Sequence, residues 1–408
     1  MDVDYDFHIE SPPDALKALF KARRLEAEPA YRSGVWRFHE LLPFLPDLSR
    51  VVTLFEGNTP IYEAPLSSEY SGISALRFKH QGLNPTGSFK DNGMTTGVTV
   101  ARQTGASAVA CASTGNTSAS MAAYAARAGL QSIVFVPAGR ISHGKLAQAL
   151  EYGARVIELD GSFDDAMRIV RELAVETGLY LLNSVNPFRL EGQKTIIIEM
   201  LEQLDWAVPD WIVLPGGNLG NCAAFGKALH ELATLGFIER MPRLAVVQAK
   251  GAAPFYKLYK SSDREELVPV SHPATLATAI RIGNPVSWTK ALRSIEWTNG
   301  VVEQVSENEI ADAKAVIGRD GIGCEPASAV TLAGTKQLVS SRIIDRDETV
   351  VCVLTGNLLK DPAYTIDYHS RKLRLETAEG EKMILVTRAN APERLPADKD
   401  AVRRHLKL

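Results

Sequence analysis

From about residue 72 onward, short apolar runs alternate with longer alanine-rich stretches. The apolar runs are SALRF (74–78), AVAC (108–111), IVFVP (133–137), RVIEL (155–159), LYLLN (179–183), WIVLP (211–215), LAVVQ (244–248) and TVVCVL (349–354). Several are continuous and end at Gly, Asn or Pro, which is typical of strands covered on both faces. The stretches between them predict helices, most clearly over 118–129, 144–153 and 221–232. The alternation predicts a mainly parallel, doubly wound α/β architecture whose functional loops follow the carboxyl ends of strands.

The two ends of the chain depart from this alternation. The segment SPPDALKALFKARR (11–24) is typical of a capped helix. After Pro362, the segment KLRLETAEGEKMILV (372–386) predicts a hairpin, and DAVRRHLKL (400–408) predicts a final basic helical turn. We interpret both ends as packing or oligomer surface rather than as a second activity.

Composition narrows the class of protein. The chain has 408 residues, of which 45% are hydrophobic and 23% charged, the balance of a soluble globular protein with a sizeable core. Its formal net charge of −3 argues against general affinity for nucleic acid or anionic membranes. The sequence contains no apolar run long enough to span a bilayer, and its acidic start lacks the apolar core of a signal peptide. We therefore expect a cytoplasmic protein without nucleic-acid or membrane partners.

The four cysteines do not suggest a metal centre. Cys111, Cys222, Cys324 and Cys352 match no metal-ligand spacing, and each lies among small or apolar neighbours. We expect buried, reduced thiols and no bound metal.

The segment NPTGSFKDNG (84–93) places Lys90 between a turn and the start of a predicted helix. An ordinary solvated lysine is the default for any such residue. A nucleophilic lysine, however, needs partial desolvation and a lowered pKa. A Gly/Ser turn allows close approach of other backbone, and a helix start disfavours the ammonium form. Lys90 is therefore a candidate functional lysine.

The segment STGNTSAS (113–120) directly follows the strand AVAC. Hydroxyls, an amide and a glycine at a strand-to-helix junction present several hydrogen-bond donors together, which suits an anion such as a carboxylate. A plain helix N-cap by Ser or Thr explains the same residues equally well.

The segment GGNLGN (216–221) lies between the strand WIVLP and a helix. Its glycines permit close backbone approach, and the helix start adds positive potential, so a phosphate cradle is favoured over a merely tight turn. It matches neither a P-loop nor the dinucleotide-binding fingerprint. In LTGN (354–357), which closes the strand TVVCVL, Thr355 would lie at the same sheet edge.

Together these segments resemble the threonine synthase branch of the fold-type II pyridoxal-phosphate enzymes. The similarity runs from EGNTP (56–60) to LTGNLLKDP (354–362), with motifs in the same order and at similar spacing. The most discriminating segment, SVNPFRLEGQKT (184–195), looks like the threonine synthase form rather than that of the dehydratases. The segment TGNLLKDP departs from the more usual TGHGLKDP at Asn357 and Leu358.

The resemblance implies a fold and a set of cofactor ligands. It implies two doubly wound α/β domains of tryptophan synthase β-like architecture, 1–95 plus 190–408 and a smaller 96–189, with the cofactor in the cleft between them. Lys90 would hold pyridoxal 5′-phosphate as a Schiff base, Asn116 would bond its phenolic oxygen, and Thr355 would meet its pyridine nitrogen. The residues that would wrap the cofactor phosphate are Gly216, Gly217, Asn218, Leu219 and Gly220.

The resemblance also implies the substrate. The reaction would convert O-phospho-L-homoserine and water to L-threonine and phosphate, in a protein that we expect to be a homodimer. Lys145 and Arg189 would bind the substrate phosphate. The residues that would bind the substrate carboxylate are Ser113, Thr114, Gly115 and Thr117.

Three alternatives stay open at this point. A cysteate synthase, which acts on phosphoserine and sulfite, would share Lys90 and the phosphate-binding residues. A threonine or serine dehydratase would need no substrate-phosphate site, so Lys145 and Arg189 count against it. A cofactor-free scaffold is disfavoured by the intact lysine and glycine-rich loop.

Overall fold

A computed structural model describes residues 3–45, 47–138, 143–161 and 163–408, without the side chains of 143–145 and 163–164. Its larger sheet has the strand order β1-β2-β10-β7-β8-β9, in which β1 is antiparallel to β2 and the other pairs are parallel. These strands are β1 (Ile61–Glu63), β2 (Leu76–His80), β7 (Trp211–Pro215), β8 (Arg243–Ala249), β9 (Val301–Val305) and β10 (Val350–Leu354).

A second, four-stranded sheet is parallel throughout and has the order β5-β4-β3-β6. Its strands are β3 (Ala108–Ala112), β4 (Gln131–Pro137), β5 (Arg155–Leu159) and β6 (Tyr180–Leu181). Near the C-terminus, β11 (Arg374–Thr377) and β12 (Gly380–Met383) form an antiparallel hairpin. The expected doubly wound α/β fold is thus confirmed. The division at residues 95 and 190 stays a prediction, although the second sheet falls within 96–189.

Helices connect the strands as parallel crossovers require. The α-helices are α1 (Pro13–Arg23), α2 (Pro29–Arg32), α3 (Pro65–Ser71), α4 (Lys90–Gln103), α5 (Asn116–Ala128), α6 (His143–Glu151), α7 (Phe163–Thr177), α8 (Pro187–Gln203), α9 (Gly220–Thr234), α10 (Pro254–Lys260), α11 (Trp288–Trp297), α12 (Glu307–Arg319), α13 (Pro326–Ser340), α14 (Pro362–His369) and α15 (Lys399–Leu406). No helix in the described part of the chain is long and apolar enough to cross a bilayer.

The strand β10 shows why its sequence is a continuous apolar run. Val351 and Val353 belong to a buried cluster on one face of the large sheet, whereas Val350, Cys352 and Leu354 belong to the cluster on the other. Successive side chains of a strand point to opposite faces, so a strand covered on both needs apolar residues at every position. Such strands are the ones that the sequence locates best.

Two strands, β1 and β9, were not predicted from the sequence. The strand β9, VVEQV, carries two polar residues, and β1 has only three residues. The predicted strand at 179–183 shortens to Tyr180–Leu181. At the ends of the chain, α1, the hairpin and α15 form where the sequence predicts them. The four cysteines are buried, as predicted.

Candidate active site

The loop that carries Lys90 is joined to the end of β10. The backbone N–H of Phe89 donates to the carbonyl of Thr355 at 3.0 Å, and that of Asn357 donates to the carbonyl of Gly87 at 2.9 Å. Ser88 forms an isolated antiparallel bridge with Gly356. Two segments more than 260 residues apart in sequence, GSFK and LTGN, therefore form one structural unit.

Lys90 is the first residue of α4 and is partly buried. Burial and, to a smaller extent, the nearby charge of Arg189 lower the pKa of its amine to about 7, while Glu325 acts in the opposite direction. The Lys90 Nζ lies 4.1 Å from the centre of the Phe89 ring. At neutral pH a large fraction of this amine is uncharged, which is the form that attacks carbonyls and accepts protons.

Asp91 fixes the position of the Lys90 loop. Its carboxylate accepts hydrogen bonds from the Thr86 N–H at 2.7 Å, the Thr86 hydroxyl at 2.6 Å and the Ser120 hydroxyl at 2.5 Å. Complete burial raises the pKa of Asp91 to about 6, although these hydrogen bonds act against the rise. One buried side chain thus links the loop, the start of α4 and α5.

Asn116 and Thr355 are brought together by Glu325, a residue that the sequence motifs did not identify. The Asn116 amide donates to Glu325 Oε2 at 2.9 Å, and the Thr355 hydroxyl lies 3.3 Å from Glu325 Oε1. Ser328 lies 3.0 Å from the Thr355 hydroxyl and accepts the Thr355 N–H at 2.9 Å. Glu325 is 1% exposed and directly precedes α13. A buried carboxylate thus connects two proposed cofactor ligands.

Two buried polar atoms at this edge have no hydrogen-bond partner among the described residues: Asn116 Oδ1 and Ser88 Oγ. An unpaired buried polar atom costs roughly 1–3 kcal/mol. Such atoms are rare in folded proteins unless a ligand or water satisfies them. Their position beside Lys90 and Thr355 fits a polar cofactor.

The glycine-rich loop packs so closely against neighbouring residues that side chains would crowd them at Gly216 and Gly217. A Cβ at Gly216 would lie 2.7 Å from a Val246 methyl, and a Cβ at Gly217 would lie 3.2 Å from the Ala279 carbonyl. Leu219 has a φ of 64°, and α9 begins at Gly220 without a side-chain cap. The Cys222 N–H donates to the Asn221 side chain at 2.9 Å, which leaves the N–H groups of Gly220 and Asn221 for an anion. Pyridoxal phosphate brings a phosphate of suitable charge.

The segment 113–117 leads into α5, which, like α9, begins without a side-chain cap. The N-cap residue is Gly115, which contributes no side-chain cap, while the Ser113 hydroxyl accepts the Gly115 N–H at 3.2 Å. Ser113, Thr114 and Thr117 are half-buried. The N-cap is therefore a glycine rather than the Ser or Thr that a plain cap would use, and the start of α5 can receive a carboxylate.

Arg189 lies inside the protein, 1% exposed, at the third position of α8. One guanidinium nitrogen, Nη1, donates to the Leu182 carbonyl at 2.9 Å, and Nε has no partner among the described atoms. Within the described part of the chain no carboxylate pairs with it, and burial lowers its pKa to about 10. It is a buried cation near Lys90 with no anionic partner among the described residues. Its predicted companion, Lys145, lies in α6 with its side chain outside the described residues.

Solved structures resemble this fold. Threonine deaminase isoform 2 from Solanum lycopersicum matches with a TM-score of 0.65 at 20% identity, over 88% of this chain and 94% of that one. A fungal L-serine ammonia-lyase from Rhizomucor miehei matches with a TM-score of 0.67 at 22% identity, over 78% of this chain and 99% of that one. At these identities the likeness shows the shared fold.

Sequence relatives are much more similar. Residues 52–356 match the family described as "Pyridoxal-phosphate dependent enzyme". Threonine synthase from Methanocaldococcus jannaschii is 49% identical over 84% of each chain, and that from Methanosarcina acetivorans is 51% identical over 82% of each. The chain therefore belongs to the pyridoxal-phosphate-dependent enzymes and, within them, to the threonine synthase family.

Proposed function

We propose that the chain converts O-phospho-L-homoserine and water to L-threonine and phosphate, using pyridoxal 5′-phosphate bound to Lys90. The observation that carries the choice of substrate is Arg189, a buried guanidinium near Lys90 with no carboxylate partner among the described residues. A buried charge is retained when a ligand compensates it, and the planar fork of arginine suits phosphate. Dehydratase substrates carry no phosphate, so this residue favours a phosphorylated substrate.

Pyridoxal phosphate, when bound, supplies an electron sink that acidifies hydrogens on the substrate carbons. Lys90 would hold the cofactor, Asn116 would bond its phenolic oxygen through the amide, and the 216–220 loop would bind its phosphate. The Asn116 amide is positioned for this by its bond to Glu325.

The proton transfers would fall to Lys90. Once substrate displaces it, its amine has a pKa lowered to about 7 by burial, so it can accept and return protons near neutral pH. The start of α5 would bind the substrate carboxylate through residues 113–115 and 117, and Arg189 with Lys145 would hold the substrate phosphate. After elimination, phosphate retained beside Arg189 would orient the attacking water.

Phosphate release provides the direct test of the reaction. We expect release from O-phospho-L-homoserine with stoichiometric threonine, and at least 100-fold slower release from O-phospho-L-serine with sulfite. Preference for phosphoserine would instead assign a cysteate synthase. Keto-acid formation from unphosphorylated threonine at a comparable rate would assign a dehydratase.

Thr355→Asp tests the residue proposed to meet the pyridine nitrogen. A carboxylate should favour the protonated nitrogen and strengthen electron withdrawal, so we expect several-fold more ketobutyrate relative to threonine. It would also face Glu325, which lies 3.3 Å from the present hydroxyl, so cofactor affinity should fall. Thr355→Ser keeps the hydroxyl and is the control. A product ratio unchanged in Thr355→Asp would contradict the assignment.

Glu325→Gln tests whether that carboxylate positions the cofactor ligands. Hydrogen bonds to a charged group are worth about 1 kcal/mol more than neutral ones, so we expect kcat/KM to fall about fivefold. The visible absorbance of the bound cofactor should also shift, which a purely structural role would not cause. Glu325→Asp retains the charge and should recover part of the loss. An unchanged spectrum with normal kinetics would contradict the role.

Assembly and location are further proposals. We propose that the chain forms a homodimer and acts in the cytoplasm on a small-molecule substrate. The mass of the purified holoenzyme, measured by light scattering, tests the dimer, and a mass of one chain would exclude it.

A further inference from the structure

A cavity of about 540 Å³ lies between α12, α14 and the tail that follows the hairpin. Such a volume suits a small organic molecule. Its lining includes Ala311 and Ala315 of α12, Tyr364 and Tyr368 of α14, and Asn390 of the tail. Lys90 and the glycine-rich loop are not among its lining residues, so the cavity is separate from the proposed cofactor site.

The cavity is basic. Lys314, Arg319 and His369 line it, and none of its described lining residues is acidic. Burial lowers the pKa of Lys314, and the charges of Lys314 and Arg319 add to burial in lowering the pKa of His369. The charges of Lys314 and Arg319 therefore both act on His369, and an anion bound among these side chains would offset that positive charge.

The carboxylates near Lys314, Arg319 and His369 do not neutralise the positive charge of the cavity. Asp361 lies close enough to raise the pKa of Lys314, but the effect of burial is larger. Asp312 accepts hydrogen bonds from the hydroxyls of Tyr368 at 3.0 Å and Thr387 at 2.7 Å. The Lys314 ammonium donates a hydrogen bond to a neutral group, the Thr365 hydroxyl, at 2.9 Å.

The cavity also offers two neutral hydrogen-bond donors, the Tyr364 hydroxyl and the His369 ring N–H. Tyr364 is 7% exposed, and its hydroxyl has no hydrogen-bond partner among the described residues. The Nδ1 of His369 accepts the Asn390 N–H at 2.9 Å, which assigns the ring proton of the neutral histidine to Nε2. The cavity thus combines ammonium, guanidinium, phenol and imidazole donors with apolar walls at Ile322 and Leu358.

We propose that this cavity binds a small organic anion, a carboxylate or phosphate on a compact apolar body, and that its occupancy acts on the active site. Gly323 and Cys324 line the cavity, and the next residue, Glu325, bonds to Asn116. Leu358 also lines it, and a Cβ at Gly323 would lie 2.8 Å from the Leu358 side chain. A ligand there therefore contacts both segments that lead to Glu325 and Thr355.

Calorimetry on the holoenzyme tests the binding. The probes are benzoate and phenyl phosphate, which separate the carboxylate source from the phosphate source, with phenol as the uncharged reference. In wild type we expect at least one anion to bind at least tenfold more tightly than phenol. In Lys314→Met and Arg319→Gln we expect its affinity to fall at least tenfold, because charged hydrogen bonds are lost.

The controls separate this site from phosphate binding at the active site. Arg319 is exposed, so Arg319→Gln should fold even if Lys314→Met does not. Lys399→Met removes an exposed lysine of α15 and should bind as wild type does. Equal anion affinity in wild type, Lys314→Met and Arg319→Gln would overturn the site, as would the absence of anion binding to wild type.

Steady-state kinetics test the coupling. A saturating concentration of the bound anion should change kcat or the KM for the phosphorylated substrate at least twofold in wild type, and not in Arg319→Gln. Tight binding without any change in either constant would overturn the link to the active site.

Discussion

Replacing Lys90 with alanine is expected to lower kcat at least 10³-fold and to remove the visible absorbance of lysine-bound cofactor. General-base catalysis alone contributes roughly 10²–10⁴-fold, and covalent attachment is lost as well. Lys90→Arg should be equally inactive because a guanidinium has no neutral form at neutral pH. The measurement is product formation over many turnovers, with the spectrum recorded on the same sample.

The stability of these variants distinguishes a functional lysine from a structural one. Lys79 is fully buried and paired with Glu199, so Lys79→Met should destabilise the fold by roughly 3–5 kcal/mol. Lys90 has no ion-pair partner among the described residues, and Lys90→Ala should leave the apo protein about as stable as wild type. Multiple turnovers at the wild-type rate in Lys90→Ala would refute its assignment.

Much of the fold could be predicted because it depends on short-range patterns. The strand WIVLP appears with the same bounds in sequence and structure, since a strand buried on both faces needs apolar residues throughout. The glycine-rich loop at 216–221 could be placed because it follows that strand and opens a helix. In contrast, β9 includes polar residues, and its place in the sheet depends on pairing with β8.

The environment of the site could not be predicted in the same way. Glu325 is a single glutamate before a proline, and its importance depends on contacts with Asn116 and Thr355, which lie 209 and 30 residues away in sequence. A buried carboxylate before a helix has no local signature that separates it from an exposed one.

The burial of Arg189 is likewise not indicated by its neighbours in the sequence. At a helix start after Asn186 and Pro187, arginine would ordinarily face solvent. It is buried because α4 packs closely across it: a Cβ at Gly93 would lie 2.8 Å from the Arg189 carbonyl, and one at Gly97 would lie 3.2 Å from its side chain. Glycines four residues apart on one face of α4 are the signal in the sequence that could have indicated this close packing.

Replacing Arg189 with methionine is expected to raise the stability of the apo protein while lowering its activity. In the apo protein, Arg189 is a buried charge without a carboxylate partner among the described residues, and such charges are costly. Methionine of similar length should raise the free energy of unfolding by about 1 kcal/mol, even after loss of the bond to Leu182. The variant should lose roughly 100-fold or more in kcat/KM for O-phospho-L-homoserine, because a desolvated charged contact is worth about 2–5 kcal/mol.

Arg37→Met is the matched control. Arg37 is fully buried but donates to Glu202 at 2.6 Å and lies 3.7 Å from Glu199. Its removal leaves the buried Glu202 carboxylate without an ion-pair partner among the described residues, whereas Glu199 keeps Lys79. This variant should lose stability, by roughly 3–5 kcal/mol. Denaturant unfolding of both apo variants and steady-state kinetics of the Arg189 variant supply the comparison. If Arg189→Met were destabilised like Arg37→Met while its remaining folded fraction kept normal kcat/KM, Arg189 would be a structural cation. The substrate-phosphate assignment would then fail.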